Sequence, residues 1–499
     1  MFERILYEVI QRRVAVIWVT LLLALVGAYS LTLLPIDAVP DITNNQVVIN
    51  TLCPGLAPEE VEKQVTFPLE TALAGIPGLE STRSLSRNEF SQISAVFAES
   101  SNIYFVRQLV AERLAAVRNR LPVGAEANMG PISTGLGEVV MWVVEMEHPD
   151  QDFKTPEGRW LKSPEQRSMY LREIQEWVVR PQIRGVAGVA DVDSIGGYSR
   201  QFVVEVDPDK LSALGIALDS LVAELESNNL NTGAGYIEVQ GRALNVKALG
   251  RLRDESDIAK VVIGERHGSP IRVSDVARVR MGRDLRMGSA SKDGSEVVVG
   301  TAFMRIGENS RIVAEGVDRK LKEMESSMPP GVRIRVVLNR MQLVDSTIST
   351  VKKNLAEGAI LVIVVLFAIL GNLRAALIVA MAIPLSMLFT AIGMVSLKMS
   401  GNLMSLGAID FGLIVDGSVI IVENTVRVLA EQEEEKGSPL TRAERLRAVF
   451  TASSSVRNAT AFGEAIIILV YIPILFLTGV EGKMFRPMAM TVILALSSA

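Results

Sequence analysis

One cysteine and two histidines are all that 499 residues hold of thiolate and imidazole ligands. Cys53 alone can form neither an intrachain disulfide framework nor a cysteine-based zinc site. His148 and His267 are too few for a histidine-rich metal centre, and both read as surface residues. Aromatics make up only 5%, which argues against a pocket built for organic molecules. Basic charge is also scarce: 51 Lys and Arg stand against 56 Asp and Glu, a net charge of −5, so nucleic acid is not an expected partner. No nucleophile–base pairing or metal-hydrolase spacing appears, and an enzyme is not expected. What the chain has in abundance is apolar surface, 49% hydrophobic residues with a mean hydropathy of +0.30. So apolar a chain cannot stay disordered. The apolar residues gather in uncharged runs at the start and in the last third, whereas residues 36 to 350 read like globular protein.

Val14–Leu34 carries no charge and is long enough to cross ~30 Å of hydrocarbon. No small-residue cleavage site ends it, so it reads as an uncleaved span. Gly358–Leu373 and Ala375–Leu397 read as spans two and three, Leu403–Val426 as span four, and about Ala459 to Val480 as span five. A sixth run begins at Pro487 and stops at Ala499, a length that rises only ~20 Å as a helix. Arg4, Arg12 and Arg13 precede span one, Arg374 separates spans two and three, and Arg442, Arg445 and Arg447 follow span four. Placing all of these in the cytoplasm is self-consistent. The long segment between spans one and two then lies outside, in the periplasm of a Gram-negative cell.

Within that segment, Ala57-Pro58-Glu59-Glu60 opens a helix on which Val61, Val65, Leu69 and Leu73 keep helical spacing. Ile93, Ala95 and Phe97 alternate as a half-buried strand does. Ser101-Asn102 caps a second helix with Val106, Val110, Leu114, Val117 and Leu121 on one stripe. Ser163-Pro164-Glu165 starts a similar helix, and its exit, Gly185-Val186-Ala187-Gly188-Val189, echoes Gly75-Ile76-Pro77-Gly78-Leu79. Two related α/β units of the split βαβ, ferredoxin-like kind fit this spacing, with a β-rich insertion from about Ala190 to Met281. The fold class expected is a polytopic α-helical membrane protein carrying a large periplasmic α/β loop.

Span four carries Asp410, Asp416 and Glu423. Each acid costs at least a few kcal/mol at the bilayer centre. Asp416 and Glu423, seven residues apart, share a helix face ~10 Å apart along the axis, and Asp410 is turned from them by about a third of a circle. Such a ladder suits a proton path, because desolvation raises a carboxylate toward the range where it exchanges protons. Interhelical hydrogen bonding, with Glu423 snorkelling, is the alternative. Glu464 in span five is a further candidate, with simple packing as its alternative. Lys398, Arg427, Arg457 and Lys483 all sit near span ends, which leaves a buried Asp416 with no cationic partner in this chain.

Asp410-Phe411-Gly412 through Asp416-Gly417-Ser418 to Val422-Glu423-Asn424 resembles the span-four signature of resistance–nodulation–division transporters, in their heavy-metal efflux branch of the cobalt–zinc–cadmium resistance type. Ser418 stands where that signature has alanine. Further matches are Pro35-Ile36-Asp37-Ala38-Val39-Pro40-Asp41-Ile42, Gly130-Pro131-Ile132-Ser133-Thr134-Gly135-Leu136-Gly137-Glu138, and Thr478-Gly479-Val480-Glu481-Gly482-Lys483-Met484-Phe485-Arg486-Pro487. The resemblance implies a proton-driven inner-membrane antiporter working as a homotrimer with a periplasmic adaptor (membrane fusion) protein and an outer-membrane channel. It implies proton-relay roles for Asp410, Asp416 and Glu423. It divides the chain into an N-terminal helix and span one (1–35), a first porter subdomain (36–134), a second one in two parts (135–189 and 282–350), a docking-type insertion (190–281) and spans two to six (351–499). Family members are about twice as long, so the chain looks like the N-terminal half. It would lack the C-terminal half with spans seven to twelve, including the span that supplies the relay's lysine.

The substrate implied is a divalent cation such as zinc, cobalt, cadmium or nickel, with no bound cofactor. Methionines 381, 387, 394, 399 and 404 read as packing rather than as a path for soft monovalent ions. Glu138, in the glycine-rich entry to the second α/β unit, is the external metal-ligand candidate, with a solvated strand-end acid equally consistent. Two other functions stay open. An exporter of organic or multidrug substrates would need more aromatics, and a membrane-anchored periplasmic sensor or assembly protein would have no need of Asp416.

Overall fold

The computed structural model describes residues 2–35, 37, 40–266, 268–286, 288–407 and 411–499. His267 and Asp410 therefore lie outside the described residues. The first α/β unit runs strand Asn45–Leu52, helix Pro58–Leu73, strands Leu79–Arg87 and Phe90–Phe97, helix Ile103–Val117, and strand Glu126–Met129. The sheet is antiparallel. Asn45–Leu52 lies between Phe90–Phe97 and Glu126–Met129, and Leu79–Arg87 forms the far edge. This is the split βαβ arrangement twice over, each helix returning the chain to the same face of the sheet. The first helix starts where Pro58 fills a position needing no N–H donor and Glu60 accepts from the Ala57 N–H at 3.1 Å. Asn102 starts the second by accepting from the Tyr104 N–H at 2.9 Å. Val61, Val65, Leu69 and Leu73 are fully buried against Val47, Ile49, Ile93 and Phe97. Each such side chain stabilises the unit by roughly 1.5–3 kcal/mol.

The second unit repeats the plan. Strands Glu138–Met146, Val189–Ile195, Ser295–Met304 and Val332–Asn339 pair in the equivalent order, covered by the Pro164–Arg184 and Ser310–Glu325 helices. In both units the first helix widens by a π-turn, at Glu62–Thr66 and at Gln175–Val179, just before Pro68 and Pro181. A proline there removes one helical hydrogen bond and crowds the preceding turn, and the wider turn accommodates it. The strand Val189–Ile195 hydrogen-bonds to Ser295–Met304 and so belongs to the second unit. The insertion opens later than residue 190, at the pairing of Arg200–Val206 with Ala277–Arg283. It has its own small core of Leu211, Leu221, Val261, Ile263, Ile271, Val273 and Val276.

Three helices, Arg13–Leu33, Leu373–Ser396 and Arg442–Phe476, are long and apolar enough to cross a membrane among the described residues. The helix holding the expected second span is longer than that span. It begins at Arg340, directly off a sheet strand, with Asn339 accepting from the Met341 N–H at 2.9 Å. The helix over the expected fourth span runs Phe411–Lys436, preceded by a short Leu403–Gly407 turn of helix. Two expected boundaries move. The Arg442 helix gives way to a tight 3-10 turn at Ile472–Phe476, and the last helix starts at Gly479 with Pro487 inside it. The charged residues of its first turns hid that start from hydropathy. Lys483 donates to the Thr43 carbonyl at 2.5 Å and lies 3.6 Å from Glu99, both in or next to the first α/β unit.

Candidate functional site

Phe411–Lys436 is covered on three sides. Val415, Val419 and Val422 pack on Ala376, Val379 and Ile383, and Ile414 meets Ala495 and Met387. On a third side Gly417 and Asn424, seven residues apart, face the Arg442–Tyr471 helix. Asn424 donates to the Ala452 carbonyl at 2.7 Å and to Ser455 Oγ at 3.0 Å, and its Oδ1 accepts from Arg427 at 2.9 Å. Opposite Gly417 sits the Glu464 carboxylate, so near that a Cβ built on the glycine would fall 2.2 Å from Oε1. Glu464 Oε2 pairs with Arg457 Nη1 at 3.7 Å, the two side chains 20% and 36% exposed.

What remains uncovered is one stripe: Asp416, Ile420, Glu423, Arg427 and Ala430 are all exposed. Their spacing of three and four residues is that of a single helix face. The two acids thus share a face, as expected, but Asp416 is exposed rather than buried. Neither Asp416 nor Glu423 forms an ion pair among the described residues. The pairing of Arg457 was missed in the sequence, where an arginine near a span end gave no sign of reaching an acid seven residues on.

Glu138 opens the strand Glu138–Met146 and is exposed. No group of three His, Cys, Asp or Glu side chains that could hold a metal occurs among the described residues, so the fold gathers no ligand set around it. His148 is exposed, as expected. Met387 and Met394 are packing residues here: Met394 is 1% exposed, with the Thr491 hydroxyl 4.0 Å from its sulfur.

The three other stretches singled out in the sequence meet at one junction beneath the α/β units. Asp37 accepts from Ser310 Oγ at 2.5 Å and lies 4.0 Å from Arg340. Arg340 also donates to the Leu136 carbonyl. The Pro35 carbonyl accepts from the Gly401 N–H at 2.8 Å, and the Asp37 N–H returns to the Gly401 carbonyl at 2.9 Å. Lys483, held by Thr43 and Glu99, completes the junction from the last helix.

The model of the AcrB/AcrD/AcrF family matches residues 5–499. The nickel-cobalt-cadmium resistance protein NccA of Alcaligenes xylosoxydans xylosoxydans is 52% identical over 515 residues, covering 100% of this chain and 48% of that protein. The cobalt-zinc-cadmium resistance protein CzcA of Cupriavidus metallidurans is 51% identical over 499 residues, covering 100% of this chain and 46% of that protein. A crystal structure of a heavy metal efflux pump superposes with a TM-score of 0.85 at 33% identity, over 99% of this chain and 47% of that one. The chain spans about half the length of the curated relatives it matches.

Proposed function

The chain belongs to the AcrB/AcrD/AcrF family, and from that premise we propose that it forms part of a proton-driven exporter of divalent heavy-metal cations. Zinc, cobalt, cadmium and nickel are the expected substrates, matching the metals in the names of NccA and CzcA. The observation that carries the reading is the uncovered stripe on Phe411–Lys436. Two acids stand there together while the other faces of the helix are packed. An unpaired acid in hydrocarbon is costly, and a proton carried by the carboxylate removes its charge. Alternate protonation of Asp416 and Glu423 then couples proton entry to metal release, with Asp410 as the third relay acid. A cation completing the site comes from a further segment of the pump, the C-terminal half in this reading.

In the same reading the protein sits in the bacterial inner membrane with residues 36–350 in the periplasm. The two α/β units act as porter subdomains, and the insertion faces an outer-membrane channel. The pump is a homotrimer joined by a periplasmic adaptor, and Glu138 serves as an external metal ligand with partners from outside this chain's described residues. The test is metal resistance in a sensitised Gram-negative strain carrying the complete pump. Asp416→Asn is expected to abolish protection against zinc, cobalt and cadmium at unchanged protein level. Full protection by that variant overturns the relay.

A further inference from the structure

The relay acids leave Glu464 unexplained. It lies on an apolar stretch of the Arg442–Tyr471 helix, flanked by Phe462 and Ile466, both exposed on its outer surface. Its own side chain turns inward, toward Gly417 of the facing helix, which has no side chain. At Gly417 any larger residue would collide with the carboxylate, since even a Cβ would lie 2.2 Å from Oε1. Arg457 reaches along the same helix to hold the other oxygen at 3.7 Å. The peptide next to this notch is that of Asp416. Two turns along, Asn424 fixes the same pair of helices through Ala452 and Ser455. The Asp416 helix is therefore held against its neighbour at two points on one face, and both acids point off the adjacent face.

Resting on the reading of Asp416 as a proton carrier, we propose that Glu464, pinned by Arg457 in the notch at Gly417, is a positioning residue of the proton site that sets the rotation and the local field of the Asp416 helix. Charged side chains described on the elements packed around the Arg442–Tyr471 helix are Asp416, Glu423, Arg427, Glu431, Glu433, Glu434, Glu435 and Lys436 on the facing helix, of which Glu433 pairs with Arg445 and Lys436 with Glu444, then Glu8 and Arg12 near the N-terminus, which pair with each other, and Glu481, Lys483 and Arg486 on the last helix. Arg457 is the ion-pair partner of Glu464 among the described residues. Glu464, seated against the Gly417 peptide and held by Arg457, fixes how that peptide and the adjoining Asp416 are turned. Glu464→Gln keeps the shape in the notch and leaves Arg457 without its ion-pair partner.

The experiment measures zinc/proton exchange against pH with the complete pump in proteoliposomes, for Glu464→Gln, Arg457→Gln, Gly417→Ala and Asp416→Asn. Glu464→Gln and Arg457→Gln, which each leave the other side chain without its partner, are each expected to lower the maximal rate by about threefold or more and to change the pH of half-maximal exchange, with the amount of inserted protein unchanged. Gly417→Ala should lower the maximal rate by about tenfold through misplacement of Asp416, and Glu464→Ala, by emptying the notch, should restore part of that loss. Profiles of Glu464→Gln and Arg457→Gln that superpose on wild type, with Asp416→Asn inactive, overturn this inference alone. An active Asp416→Asn pump overturns the underlying relay instead.

Discussion

Gly300 and Trp142 offer the sharpest test of how the second α/β unit is built. They face each other across the strands Ser295–Met304 and Glu138–Met146. A Cβ on residue 300 would lie 2.3 Å from Cε2, 2.4 Å from Cζ2 and 2.6 Å from Nε1 of the indole. Carbon atoms rest at about 3.5–4.0 Å, so in Gly300→Ala the ring or the strand must move by more than ~1 Å. The ring has nowhere cheap to go. Trp142 and Gln175 are each 0% exposed. The indole N–H donates to Gln175 Oε1 at 2.9 Å, and Gln175 donates in turn to Ser194 Oγ at 3.1 Å. Overpacking costs about 1–3 kcal/mol, and a buried polar group left without its partner costs about 1–3 kcal/mol more. The opening free energy of this sheet should fall by ~2–6 kcal/mol. Hydrogen exchange on the whole protein reads that locally, where a single unfolding midpoint would blend several units. Amides of Glu138–Met146 and Ser295–Met304 should exchange at least about thirtyfold faster, while the first unit stays unchanged. In a Trp142→Leu background the clashing atoms are absent, so the alanine should cost much less there. Unchanged protection in Gly300→Ala, or strictly additive effects in the double variant, would refute the packing argument.

Cys53 is 2% exposed, and burial, aided by the nearby Glu89 carboxylate, pushes its thiol above the ordinary range. A raised pKa keeps the thiol protonated at neutral pH, so maleimide should label it far more slowly than free cysteine until the first α/β unit opens in urea; labelling at the free-thiol rate in native protein contradicts this. Arg340 is 10% exposed and joins Asp37 to the Leu136 carbonyl. Arg340→Gln should cost about 1–3 kcal/mol at the junction, read as increased proteolysis near residues 130–140. Asn424→Leu abandons the Ala452 carbonyl and the Ser455 hydroxyl. It should lower the midpoint of thermal aggregation in detergent, and an unchanged midpoint removes that contact from the account of helix pairing.

Local periodicity made most of the first unit legible. Val61, Val65, Leu69 and Leu73 repeat at helical spacing and are all buried, because one apolar stripe has one way to face a sheet. The repeat at Ser163-Pro164 foretold the second unit, whose strand order depends on pairings across the insertion and was beyond local spacing. The π-turns before Pro68 and Pro181 were hidden too. A proline in a helical pattern announces a lost hydrogen bond and is silent on whether the helix kinks, stops or widens. Hydropathy misplaced the start of the last helix for a related reason. Glu481, Lys483 and Arg486 look like loop, yet Lys483 finds its partners at Thr43 and Glu99 in a different unit of the fold.

The acids of Phe411–Lys436 show where sequence and structure each contribute. Spacing alone set Asp416 and Glu423 on one face, but could not say what that face met. Packing supplies the answer by elimination. Valines take one side, Ile414 a second, and Gly417 with Asn424 a third. The polar groups on the packed third side are matched: Asn424 makes three hydrogen bonds, and Glu464 across from Gly417 has Arg457. The acids without an ion-pair partner stand on the stripe that nothing among the described residues covers. On the proposed reading, their place on the open stripe leaves each carboxylate reachable, by a proton and by a cation from another segment.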